Sequence, residues 1–258
     1  MSERKVCVVS GSSSGIGAAT VKRYAREGWD VVVNFSRSRQ PAEAVAAECR
    51  ALGAAHGVQA LVLQADIADD AQCLGLAEQV RAQLGRCDVL VNNAGTTKFV
   101  PLKQLDGLQA QDFHDIYAVN VVGTYQLTRA FVPLLQAQPH AGVVNISSVA
   151  SMMGRGSSIA YMASKGAVNA MTVGLARALA PGIRVNAIAP GLVDSPWLRQ
   201  GLGERYPKYV KDWTDRAALE DVLQPEDVAD AAWWLGAGAA KSTGEVLLLD
   251  AGFRLTKA

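Results

Sequence analysis

The chain has 258 residues, with 25 Lys and Arg against 24 Asp and Glu, a formal charge of +1, and half of its residues hydrophobic. A chain of that length buries roughly three quarters of the surface its unfolded form exposes, so its core needs neither disulfides nor metal. The near-neutral balance, with no basic block, gives no electrostatic reason to expect nucleic acid or an acidic membrane surface as a partner.

From the start, Met1–Val9 puts three charged residues before a four-residue apolar run, too short for the apolar region of a signal peptide. Val6–Val9 is the first strand candidate, Ile16–Arg26 has helical period, and Val31–Phe35 is the second strand. Further strands are predicted at Ala60–Gln64, Val89–Val91, Gly142–Ile146, Ile183–Ala189 and Glu245–Leu249. Between them Pro41–Leu52, Ala71–Leu84, Phe113–Gln136, Ala160–Leu179 and Pro225–Leu235 carry helix formers at the 3.6 period. Strands apolar nearly throughout imply a parallel sheet covered by helices on both faces, so the fold class is doubly wound α/β. No repeat or linker divides residues 1–258, and a single domain is expected. Leu192–Leu223 breaks the rhythm with Trp197, Tyr206, Tyr209 and Trp213, and reads as an insertion covering the site or as a surface helical hairpin.

Cys7, Cys49, Cys73 and Cys87 are isolated and read as reduced, packed thiols, while His56, His114 and His140 form no catalytic or metal-ligand pattern. No metal is expected. No run approaches the roughly 18 apolar residues of a membrane span, and a cytoplasmic protein is the expectation.

The first strand runs into Ser10-Gly11-Ser12-Ser13-Ser14-Gly15-Ile16-Gly17 at the opening of a helix. Glycines there let the backbone approach a pyrophosphate, whose charge the free helix-end amides stabilise, and the small hydroxyls add donors. Tyr161 and Lys165, four apart, project from one face of a predicted helix. By chance about 0.2 such pairs are expected at this composition, so the pair alone is weak. Its chemistry is coherent nonetheless: an ammonium favours a phenolate and moves the tyrosine pKa downward, suiting it to exchange a proton with a carbonyl oxygen or alcohol. Ser148, at a strand end, can hydrogen-bond the same oxygen as charge builds on it.

The glycine spacing resembles the TGxxxGIG turn of the short-chain dehydrogenase/reductase family, with Ser10 in place of Thr. In family order follow Asn92-Asn93-Ala94-Gly95, similar to NNAG, then Asn120, Ser148 thirteen residues before Tyr161, the Tyr161–Lys165 pair as YxxxK, and Pro190-Gly191. The resemblance, from Val6 to about Gly252, is nearest in flavour to the 3-oxoacyl-carrier-protein reductases. It implies a Rossmann-like seven-stranded sheet, a catalytic set of Asn120, Ser148, Tyr161 and Lys165, and a homotetramer. Lys165 would also bind the nicotinamide ribose, and Asn120 would hold a water joining Lys165 to solvent. By the same resemblance Gly11, Ser13, Ser14, Gly15, Ile16, Gly17, Asn93, Ala94, Gly95, Pro190, Gly191, Val193 and Ser195 contact cofactor, with Asp66 and Ile67 at the adenine.

After the second strand stand Ser36-Arg37-Ser38-Arg39 rather than a carboxylate. An acidic residue there would accept from a ribose 2′-hydroxyl, whereas Arg37, helped by Ser36, can pair with a 2′-phosphate. NADP(H) is therefore preferred, with NAD(H) open because Ser14 stands where many NADPH-using members carry a basic residue. Thr96–Val100, Met152–Ser158 and Leu192–Leu223 are expected to line the substrate pocket, with Phe99, Met153, Trp197 and Leu198 beside an Arg155 that contacts an anion or faces solvent. A mainly apolar pocket suits a medium-sized carbonyl compound or its alcohol. An NAD(H)-dependent alcohol dehydrogenase is the alternative within the family. A non-catalytic dinucleotide-sensing regulator would lack the four catalytic residues, and a methyltransferase would want an acidic residue after the second strand, where Phe35-Ser36 stand.

Overall fold

The computed structural model describes residues 4–255; the first three residues of the Met1–Val9 segment and the last three of the chain lie outside that range. In chain order the elements are β1 Val6–Val9, α1 Gly15–Arg26, β2 Asp30–Phe35, α2 Arg39–Leu52, β3 Ala60–Gln64, α3 Asp70–Leu84 and β4 Val89–Asn92. Then come α4 Ala110–Tyr117, α5 Thr124–Gln136, β5 Ala141–Ile146, α6 Ala150–Met153, α7 Ile159–Leu179 and β6 Ile183–Pro190. The last are α8 Pro196–Leu202, α9 Tyr206–Thr214, α10 Pro225–Trp233 and β7 Val246–Leu249. All seven predicted strands form, in one parallel sheet of order β3-β2-β1-β4-β5-β6-β7.

The strands are mostly apolar because both faces of the sheet are covered. Cys7 and Val9 of β1 join the cluster under α1, α2 and α10, while Val6 and Val8 join the opposite cluster with Leu76, Leu127 and Phe131 from α3 and α5. The order reverses between β1 and β4, and a crevice opens there beyond the carboxyl ends of the strands. All four cysteines are free and buried, and burial pushes Cys49 up to about 12 and Cys73 up to about 11.

Two expectations are corrected. Phe113–Gln136 is not one α-helix: it starts earlier, at Ala110, and a π-helical turn over Ala118–Gly123 separates α4 from α5. The turn follows from side-chain ties that periodicity does not encode. Asn120 is drawn to the Thr96 backbone, and a Cβ at Gly123 would sit 2.8 Å from the Ile67 carbonyl. Likewise α10 stops at Trp233 and runs into a π-helical turn over Trp234–Gly238, where the Arg184 guanidinium binds the carbonyls of Leu235, Gly236 and Ala239.

The excursion after β6 is pinned at its base. Leu223 N–H donates to Leu192 O at 2.9 Å, and Asp194 N–H to Leu223 O at 2.8 Å. Among the described residues no helix is long and apolar enough to cross a membrane, and no group of three or more His, Cys, Asp or Glu side chains could hold a metal ion.

Candidate active site

One cleft of about 980 Å³ runs along the carboxyl ends of the strands. Of the residues expected to contact cofactor, Gly11, Ser14, Gly15, Ile16, Ser36, Arg37, Asp66, Ile67, Asn93, Ala94, Gly95, Tyr161, Lys165, Pro190, Gly191, Val193 and Ser195 line it, as does Ser148. Ser13, Gly17 and Asn120 do not. Gly17 lies beneath the turn, where a Cβ would meet Gly11 O at 2.6 Å, so its absent side chain serves close packing. Ser13 is half-buried outside the cleft. Asn120 is buried behind the cleft wall.

The glycine turn is built for close approach. Gly11 and Gly15 hold φ of +60° and +54°, and a Cβ on Gly11 would stand 2.9 Å from Ala94 Cα. Above Gly15 the nearest atom to such a Cβ is 4.0 Å away, so space remains over the turn. At the start of α1 Ser14 makes no side-chain cap, which leaves first-turn amides to a ligand. That combination fits a dinucleotide pyrophosphate. The hydroxyls contribute less than expected, because Ser12 is buried and consumed: it donates to Val9 O at 2.8 Å and accepts from Asn34 N at 3.0 Å.

Asn34 is a residue the sequence reading missed. Its Oδ1 accepts from Gly11 N at 3.1 Å while its Nδ2 donates to Ala65 O at 3.1 Å, joining the glycine turn to the end of β3. The available signal was one amide within the apolar run of β2. Across the cleft Asn93 Nδ2 donates to Ser10 O and Gly11 O at 2.9 and 3.0 Å, so the NNAG-like segment is bolted to the same turn.

Ser148, Tyr161 and Lys165 meet at the cleft floor. Lys165 is 4% exposed, its Nζ donates to Ile146 O at 2.7 Å, and it stands 5.7 Å from the centre of the Tyr161 ring. Burial pushes the Tyr161 phenol up to about 12, with a hydrogen bond from Ser148 acting against it. The expected downward shift is thus reversed. Desolvation of the phenolate sets the direction, and burial likewise pushes the Lys165 ammonium down to about 8. Asn120 reaches this group indirectly: Oδ1 accepts from Thr96 N at 2.8 Å, and Nδ2 donates to Thr96 O and to Ser164 Oγ, each at 3.0 Å.

A second chain of hydrogen bonds, also missed, holds the Ser148 loop to α7. Asn169 Nδ2 donates to Ser151 Oγ at 2.9 Å, and Ser151 Oγ donates to Ser148 O at 2.6 Å. Nothing in the spacing Lys165-x-x-x-Asn169 distinguishes that amide from a solvated helix residue.

Beyond Tyr161 the cleft is walled by Phe99, Val100, Trp197, Leu198, Leu202, Arg205, Tyr209 and Trp213. Met153, expected here, instead packs into the cluster of Val149, Leu192, Trp213 and Phe253 and does not line the cleft. Arg155 does line it; exposed, it lies with its guanidinium carbon 5.4 Å from the Phe253 ring centre.

Comparison with known proteins places this geometry in context. A family model described as short chain dehydrogenase matches residues 5–204. Over 253 residues the chain is 38% identical to a Streptomyces violaceoruber protein described as a ketoacyl reductase of the granaticin polyketide synthase, covering 98% of this chain and 97% of that one. Among solved structures, a short-chain dehydrogenase/reductase from Burkholderia xenovorans superposes with a TM-score of 0.90 at 42% identity, covering 99% of this chain and 100% of the other. A gluconate 5-dehydrogenase from Burkholderia cenocepacia, solved with NADP and tartrate, gives 0.87 at 28% identity over 98% and 96% of the two chains.

Proposed function

The chain belongs to the short-chain dehydrogenase family, and from that premise we propose an NADP(H)-dependent oxidoreductase that interconverts a medium-sized carbonyl compound and its secondary alcohol with Tyr161 as general acid and base. The observation that carries the reading is the meeting of Ser148, Tyr161 and Lys165 in the same cleft as an uncapped, glycine-lined helix end. A regulator needs no such set, and the family match sets aside both the regulator and the methyltransferase.

The cofactor site reads from the residues upward. Gly11, Ser14, Gly15 and Ile16 would hold the pyrophosphate, Asp66 and Ile67 the adenine, and Lys165 the nicotinamide ribose. Asn93, Ala94, Gly95, Pro190, Gly191, Val193 and Ser195 would wall the rest, while Ser13 and Gly17 shape the turn. At the end of β2, Ser36 and Arg37 are exposed and line the cleft, and Arg37 forms no ion pair among the described residues. A free planar guanidinium there favours a 2′-phosphate, hence NADP(H) over NAD(H).

When bound, the nicotinamide supplies or accepts the hydride at the substrate carbon. For reduction, the Ser148 hydroxyl hydrogen-bonds the carbonyl oxygen, and the Tyr161 phenol, neutral across the physiological range, gives its proton to that oxygen as negative charge develops. The Lys165 ammonium then stabilises the phenolate left behind, and Asn120, through Ser164, holds the helix turn that presents Lys165. Oxidation runs the transfer in reverse and needs Tyr161 as the phenolate, the form that the neighbouring Lys165 ammonium favours, to take the alcohol proton.

Titration with NADPH and NADH, read by nicotinamide fluorescence, tests both halves of the reading. Wild-type protein should bind NADPH at least tenfold more tightly than NADH. Tyr161→Phe should keep that affinity within a few fold and lose turnover by 10² or more. Retained turnover overturns the assignment of Tyr161; equal affinities remove Arg37 from the site and leave the NAD(H) alternative.

We also propose a homotetramer, supported by the exposed Val122, Tyr125 and Val173 beside α5 and α7 and the exposed Trp234 beside β7. Light scattering should return four chain masses.

A further inference from the structure

Trp197 is 45% exposed although it stands in the cleft, a position where an apolar ring facing water is unfavourable until something covers it. Its ring centre lies 6.2 Å from that of Tyr161 at 44° and 5.6 Å from that of Phe99 at 54°. The corner these rings make is held from three sides. A Cβ at Gly201 of α8 would overlap the Phe99 ring, so the helix carries glycine where that ring seats. The loop bearing Phe99 is tied to the segment before α7, with Val100 N donating to Ser157 O at 2.8 Å and the Thr97 and Ser157 hydroxyls 2.7 Å apart. Helix α8 itself is capped by Ser195, which accepts from Leu198 N, and begins with Pro196.

An aromatic surface fixed before binding loses little conformational freedom when a ligand arrives, and it discriminates by shape. A flat ring can stack on one of these two tilted faces while its edge meets the other, with its substituent carbonyl toward the Tyr161 hydroxyl, whereas a flexible alkyl chain must lose rotamer entropy to cover the same area. Resting on the carbonyl chemistry proposed above, we infer that Trp197 and Phe99 form a preorganised corner that selects substrates whose reacting carbonyl is attached to an aromatic or conjugated ring.

Acetophenone and 2-octanone, with equal carbon counts, test this. With NADPH the wild-type enzyme should favour acetophenone at least tenfold in kcat/KM. Trp197→Leu, which keeps apolar bulk without the ring, should lower kcat/KM for acetophenone at least tenfold and for 2-octanone less than threefold, and Trp197→Phe should restore most of the loss. A readout apart from turnover comes from the protein's five tryptophans: in the complex with NADP⁺, acetophenone should quench indole fluorescence, and Trp197→Leu should remove that quench. Turnover of both ketones without preference, equal losses in the leucine variant, or no quench by acetophenone overturns the corner. Quenching that depends on Trp197 with neither ketone turned over upholds the corner and overturns the carbonyl reading instead.

Discussion

Two aromatic trios, one packed in the core with α1 and α10 and one in the cleft beyond the strand ends, differ in a way that shows how one residue type serves packing or chemistry. Tyr24, Trp29 and Trp233 meet edge to face at centroid distances of 4.9 to 5.5 Å. Tyr24 is fully buried, and its hydroxyl donates to Ala232 O at 3.1 Å, so its one polar atom is spent on the backbone. Tyr161, Trp197 and Phe99 are looser and tilted, and the Tyr161 hydroxyl faces a cleft beside Ser148. Burial raises the pKa of both phenols, well above the ordinary value for Tyr24 and to about 12 for Tyr161. The shift alone therefore does not separate them; the partner of the hydroxyl does.

Removing each hydroxyl should break the comparison in opposite directions, and this is the largest expected effect. Tyr161→Phe loses turnover by 10² to 10⁴ with little change in thermal midpoint. Tyr24→Phe leaves a buried carbonyl without that donor, costs about 1 kcal/mol, and lowers Tm by roughly 2–4 °C while kcat stays within twofold. Thermal unfolding and steady-state rates on both variants decide it. A Tyr24 variant with lost turnover would mean that the two trios communicate through the sheet.

The cations beside the trios sharpen the contrast further. Lys165 is buried with its pKa pushed down to about 8 from 10.5, so between those values the unfolded chain binds more protons than the folded one and stability rises with pH. Below pH 8 both states are protonated and the penalty of the buried ammonium is felt in full. Tyr161 acts oppositely, but only where an unfolded tyrosine begins to ionise, above about 10. The raised thiols of Cys7, Cys49, Cys73 and Cys87 oppose the trend as pH approaches about 9 and above, in wild type and in a Lys165 variant alike. Between pH 8 and 9, then, the stability of wild type relative to Lys165→Met should rise by about 1 kcal/mol. Denaturant unfolding at the two pH values measures it, and parallel slopes for the two proteins would show that Lys165 is solvated.

The trios also show what was legible in the chain. Strands buried on both faces announce themselves as apolar runs, and backbone-driven features such as the Gly11–Gly17 turn must carry glycine wherever they occur, so the sheet and the cofactor end could be read in order. Spacing also paired Tyr161 with Lys165, because residues four apart on one helix share a face. What could not be read depends on side chains meeting across long separations. Asn120 leaves α-helical geometry because Thr96 claims its amide, Gly201 is small because Phe99 lies on it, and Trp233 joins Tyr24 from the far end of the sequence. The reversal at Tyr161 has the same origin: spacing supplied the ammonium, but desolvation is a property of the assembled cleft.

The smallest effect belongs to the outer cations of the packing trio. Lys5 Nζ lies 5.2 Å from the Trp29 ring centre and Arg23 lies 5.1 Å from that of Trp233, as Lys165 lies 5.7 Å from that of Tyr161. Distance alone would rank the three contacts as equals. Lys5 is exposed, however, so water already solvates its charge, and removing it forfeits only a screened attraction of about 0.5 kcal/mol. Lys5→Met should therefore shift Tm by no more than about 2 °C, without the pH dependence that Lys165→Met abolishes, and with turnover intact. A larger loss at Lys5 would place its stem, rather than its charge, in the packing of Trp29, and Lys5→Gln, which shortens the stem as well, would then cost more than the methionine variant.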